Sequence, residues 1–102
     1  MNAFVVKSAQ APTVEIDKCV SAVYVRFQKN AKVAKTVEVD SPKAIVTVDL
    51  DAHNEVIGIE LIGVKEFSIV RLLQKAQVQA PHVDLQKTRY IQTRRAIAEA
   101  LC

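Results

Sequence analysis

From residue 13 to residue 62 the apolar side chains recur at every second position, and this period limits the fold more than any other feature of the chain. Val14 and Ile16 alternate with Thr13, Glu15 and Asp17. Val23, Val25 and Phe27 alternate with Ala22, Tyr24 and Arg26. Val37 and Val39 sit between Thr36, Glu38 and Asp40. Val46, Val48 and Leu50 alternate with Ile45, Thr47 and Asp49. Ile57, Ile59 and Leu61 then alternate with Val56, Gly58, Glu60 and Ile62. A period of two puts each set on one face of a strand, and β-branched residues suit a half-buried pleat.

Turn chemistry separates the runs. Gln28-Lys29-Asn30, Asp40-Ser41-Pro42-Lys43 and Asp51-Ala52-His53-Asn54 are polar, and Pro42 is unfit for a central ladder. Short connections favour antiparallel neighbours. The spacing therefore predicts a five-stranded antiparallel meander over 13–17, 22–28, 33–40, 44–50 and 55–62. Past Gly63 the period lengthens. Ser68 can cap a helix carrying Ile69, Leu72, Leu73 and Ala76 on one stripe, with Pro81 as its stop. Asp84 resembles the cap of a second helix through Leu85, Ile91, Ile97, Ala98 and Leu101. The fold expected is α+β, the meander being followed by two C-terminal helices at about 68–79 and 84–101. Residues 1–11 are expected as a flexible N-terminal arm, and 12–102 as a single domain whose sheet spans 13–62.

One sheet face collects the valines, isoleucines and leucines together with Phe27 and must be covered, and the helices are the cover expected. The other face collects Tyr24, Arg26, Thr36, Glu38, Thr47, Asp49 and Glu60, with Ile45, Val56 and Ile62 toward one end. Such a mixed surface suits recognition of another protein, or self-association through crossed ion pairs. Glycine in mid-strand at position 58 marks a close approach, with Tyr24 folding over it as the candidate.

These runs also resemble a known pattern. Ile16-Asp17, Ala22-Val23-Tyr24-Val25-Arg26, Val33-Ala34-Lys35-Thr36, Asp49-Leu50-Asp51 and Gly58-Ile59-Glu60 follow in order and spacing the bacterial family called domain of unknown function 2283. Asn54 stands where that family usually has Gly, and asparagine is well able to adopt the positive φ such a turn needs. Ser21 replaces a common acidic residue, and Ile16 a common tyrosine. The resemblance implies a small sheet domain, often encoded beside small toxin-like genes, and no established catalytic activity.

Candidate chemistry is sparse. Asp49 and Asp51 share a strand face, and with Glu60 on the next strand they offer an oxygen-ligand set for a hard cation or a minimal acid–base site. The simpler reading makes Asp51 a turn opener, with Asp49 and Glu60 paired across the sheet. His53, His82, Cys19 and Cys102 lack zinc-ligand spacing, and no glycine-rich phosphate loop or nucleophile elbow is present, so no metal and no cofactor is expected. The net charge of +3 is concentrated late: Arg71, Lys75, Lys87, Arg89, Arg94 and Arg95 face only Asp84 and Glu99. A basic helix bearing Lys87, Arg89, Arg94 and Arg95 can meet nucleic acid, but one interleaved aromatic, Tyr90, and no reading motif make a solvated face the simpler account.

No apolar run approaches the ~20 residues of a membrane span. Phe4-Val5-Val6 is too short for a signal-peptide core, so a soluble cytoplasmic protein with reduced thiols is expected. An ample apolar surface without a chemical motif predicts a non-enzymatic interaction module. It is expected to be a homodimer by preference, with Tyr24, Arg26, Glu38, Asp49 and Glu60 as contact residues and a small toxin-like protein as a further partner.

Overall fold

The structure is a computed structural model and describes residues 4–63 and 66–92. Its elements in chain order are β1 (Phe4–Val5), β2 (Thr13–Asp17), β3 (Ala22–Arg26), β4 (Lys35–Val39), β5 (Ile45–Leu50) and β6 (Val56–Ile62). There follow α1 (Ile69–Lys75), β7 (Val78–Gln79), a 3-10 turn at Leu85–Lys87, and β8 (Arg89–Gln92). The five central strands lie where the alternating runs predict them.

Their order differs from a meander. The six-stranded sheet runs β4-β5-β6-β3-β2-β8, and β1 pairs separately with β7. Strand β6 therefore lies beside β3, antiparallel to it, and β4 is carried to the far rim by the connection 27–34. Three hairpin-linked strands with the preceding strand beside the last make a Greek key. The physical reason lies in β6 itself. Val56, Ile57, Gly58, Ile59 and Leu61 are all buried, so the strand is closed on both faces and needs a neighbour on each side. A meander would have left it at a rim.

The expected second helix is also corrected. Asp84 does cap, its carboxylate accepting from the Gln86 N–H at 3.1 Å, but it caps only the 3-10 turn. Thr88 leaves the helical conformation, its hydroxyl donates to the Leu85 carbonyl, and the Arg89 N–H donates to Pro12. Arg89–Gln92 then pairs parallel with Thr13–Ile16. The open edge of β2 outweighs the helical spacing of Leu85 and Ile91, as tertiary context does a weak propensity. The molecule is thus mostly β, with one described helix of seven residues. The remainder of the predicted helix, from residue 93 on, lies outside the described residues.

The first helix is shorter than the predicted 68–79. Ser68 caps it through the Arg71 N–H, as its position suggested. Gln77 then takes a positive φ of 56° and turns the chain into β7, which β1 captures through Phe4 N–H to Gln77 and Val6 N–H to Gln79 bonds. The N-terminal stretch expected as a loose arm thus carries a strand, and Val6 enters the core.

The core joins Val14, Val23, Val25, Phe27, Val46, Val48, Ile59 and Leu61 of the sheet to Ile69, Leu72, Leu73 and Ala76 of α1, with Val6 and Val78 alongside. One register shift disturbs the alternation, between Asp49 and Leu50 against β6. It brings Val56, expected on the outer face, into the core cluster, while Ile57 is buried outside that cluster. Cys19, in the β2–β3 turn, is disulfide-bonded rather than a thiol. Among the described residues no helix is long and apolar enough to cross a membrane.

Phe27 is 1% exposed, at the point where β3 ends against β6. Phe27→Ala should destabilise the fold by about 3–5 kcal/mol, read as a lowered urea midpoint. That is a large share of the ~5–15 kcal/mol available to a typical domain.

Candidate interaction face of the sheet

The strand register sets the outer-face residues in rows across the sheet. One row reads Thr36, Asp49, Gly58, Arg26 and Thr13, from β4 to β2. The next reads Glu38, Thr47, Glu60, Tyr24 and Glu15. Tyr24 leaves its own row. Its ring lies across Gly58 on β6, and its phenol donates to Asp49 Oδ2 on β5 at 2.8 Å. A Cβ at position 58 would collide with that ring, so glycine is required here by the close approach of a side chain. The strand-interior glycine was the legible sign of this contact.

Both Asp49 oxygens are engaged. Oδ1 accepts the Thr36 hydroxyl at 2.6 Å while Oδ2 takes the phenol. The Arg26 guanidinium stands over the Tyr24 ring, 4.8 Å from its centroid, within cation–π range. Its Nε donates to Glu15 Oε2 at 2.7 Å. The chain Thr36–Asp49–Tyr24–Arg26–Glu15 thus crosses five strands as one bonded or stacked series. Burial, then the hydrogen bond to the Asp49 carboxylate and its charge, push the Tyr24 phenol well above the ordinary tyrosine range. The hydrogen bond to Glu15 raises the Arg26 guanidinium, against the opposing effect of burial.

Of the residues expected on this face, Tyr24, Arg26 and Asp49 are brought together. Glu38 lies in the adjoining row opposite Thr47 on the rim strand and is exposed. Glu60 is half-buried, directly opposite Tyr24 and Thr47. Glu15 was not singled out from the sequence, although the β2–β3 hairpin places it opposite Tyr24. Asp17 was also missed. It is 4% exposed, its Oδ1 accepts the Cys19 N–H at 3.1 Å, and Oδ2 finds no partner among the described residues. With Glu15, Tyr24, Arg26 and Glu60 it borders an open groove of about 340 Å³.

The proposed oxygen-ligand set does not converge. Asp49 and Glu60 occupy successive rows, and Asp51 is spent in its turn, accepting the His53 and Glu55 N–H groups at 2.8 and 3.0 Å. Those two bonds, the Glu55 one above all, hold the Asp51 carboxyl below the usual carboxylate range. Asn54 takes a positive φ of 63°, as a glycine substitute should. Among the described residues no group of three His, Cys, Asp or Glu side chains could hold a metal ion. Of the residues expected on a basic helix, Lys87 lies in the 3-10 turn and Arg89 in β8, both exposed, while Arg94 and Arg95 lie outside the described residues.

The family model described as "Protein of unknown function (DUF2283)" matches residues 13–65. The chain belongs to this family. No curated protein and no solved structure matches it. The DUF2283 match begins at the first residue of β2 and passes the end of β6, so the whole Thr36–Asp49–Tyr24–Arg26–Glu15 series falls within it. Strand β1, helix α1, β7 and β8 fall outside it.

Two measurements check this geometry. Gly58→Ala should destabilise the protein by about 1–3 kcal/mol, as overpacking does, and by clearly less in a Tyr24→Ala background. Equal costs in the two backgrounds would disprove the contact. The raised phenol also has a pH signature. Its stabilisation is fully present below the ordinary tyrosine value of about 10 and is lost as pH rises through the higher folded value. Wild type should therefore lose more of its urea midpoint on alkaline titration than Tyr24→Phe.

Proposed function

We propose that this DUF2283 domain is a non-enzymatic, self-associating protein-interaction module whose contact surface is the outer sheet face and its rim. The observation that carries this reading is the Thr36–Asp49–Tyr24–Arg26–Glu15 series. Its polar side chains are bonded or stacked on one another from β4 to β2. The face is consequently held in one arrangement before any partner arrives, which lowers the ordering cost of binding. Asp49, the carboxylate at the centre of the series, already accepts from two hydroxyl groups, which ties it to its neighbours rather than to a substrate. Ile45 and Ile91 lie on the same face at its two sides, and both are exposed. Apolar groups beside a polar lattice are the composition of a protein contact.

Light scattering from micromolar to millimolar concentration tests the reading. A mass that rises to that of a dimer is expected, two-fold pairing being the commonest assembly. A monomeric mass over the whole range would overturn it.

A further inference from the structure

We propose that two copies of this chain join edge to edge along β4, antiparallel, with Val37 on the two-fold axis. The inference rests on the self-association reading above and names the surface it uses. Among the described residues β4 pairs on one side only, with β5, and ends the sheet. Its register with β5 is regular over all five residues, and the sheet's bulge lies elsewhere, between β5 and β6. The strand contains no proline, since Pro42 comes only after it has ended. Natural sheets blunt their rims with prolines, bulges, charged side chains or cover; β4 carries charge only at Lys35 and Glu38, and its centre at Val37 remains a template for another strand.

The sequence of β4 selects both partner and register. Thr36 and Glu38 belong to the outer face, while Lys35, Val37 and Val39 belong to the core side, where both valines are half-buried against the core. Continuous faces require that residues of one set meet residues of the same set. Three registers that pair at least three residues of β4 satisfy this. Centring on Glu38 sets two carboxylates against each other, which is unfavourable. Centring on Thr36 leaves Val39 beyond the pairing. Centring on Val37 pairs all five residues, with Thr36 opposite Glu38 and the aliphatic stem of Lys35 over Val39. That arrangement opposes no like charges and extends the apolar side of each copy with the other's valines.

Five residues bury too little alone for a stable interface of roughly 1,000 Å². Val33 and Ile45 flank the strand, 44% and 52% exposed, and supply further apolar area at its two ends. Both outer faces then lie on one side of a joined sheet, because a two-fold axis normal to the sheet preserves its sides.

Sedimentation of wild type, Val37→Lys, Val37→Glu and an equimolar mixture of the two variants tests the proposal, with far-ultraviolet circular dichroism reporting the fold. Wild type should dimerise. Each variant alone should bind itself at least about tenfold more weakly, because like charges then meet on the axis. The mixture should regain a heterodimer. A wild-type-like dimer in Val37→Lys would overturn the β4 interface and leave self-association standing. Folded, monomeric variants that fail to pair when mixed would overturn the Val37 register. A wild type that stays monomeric would overturn the self-association reading with it. Should a charged variant lose its fold, oxidation of Val37→Cys decides. Opposed copies should cross-link with themselves much faster than Val39→Cys does, and equal rates would overturn the register.

Discussion

A strand that is apolar on both faces cannot end a sheet, and the placement of β6 follows from that constraint. Val56, Ile59 and Leu61 belong to the core cluster, while Gly58 is closed off on the other side by the Tyr24 ring. Burying both sides requires neighbours on each flank, which β5 and β3 provide. The remaining topology follows. If β6 lies between β5 and β3, the chain leaving β3 must travel to the rim to start β4, and the connection 27–34 does so.

The same placement sets the outer face. Tyr24 and Asp49 belong to strands separated by β6, and their hydrogen bond exists because β6 offers no side chain at position 58. A methyl group in that space would part the phenol from its carboxylate and disturb the Arg26 stack on the ring. The core and the surface lattice are thus coupled through a single residue without a side chain.

Much of this was legible in the residues. Period-two alternation located β2 to β6 within a few positions, the Ser68 cap located α1, and Gly58 pointed to Tyr24. Strand order was not legible from turns, because Lys29-Asn30 has the chemistry of a tight turn and yet belongs to a long connection. The sign of the true order was present in β6, whose off-face residues Val56 and Gly58 are too small or too apolar for a rim. Past residue 84 the local signals misled. Asp84 caps and Leu85 and Ile91 have helical spacing, but only knowledge of the open β2 edge reveals that Arg89–Gln92 is needed as a strand. Asp17 escaped notice because alternation marks it as an ordinary outer-face residue, although the finished structure buries it.

The pairing of β8 with β2 has a consequence for how the chain comes into being. Thr13 meets Arg89, and Phe4 meets Val78, so both early segments wait for late ones. The three hairpin-linked strands β4, β5 and β6 can form from near neighbours, whereas these closures join distant parts of the chain and carry a larger entropic cost. During synthesis from the N-terminus β2 emerges with its outer edge unpaired and stays so until residue 92 has left the ribosome. A growing chain therefore presents a bare β2 edge from the time residue 17 emerges until residue 92 follows. That interval is when another nascent copy, or a chaperone, has access to a surface the finished protein closes.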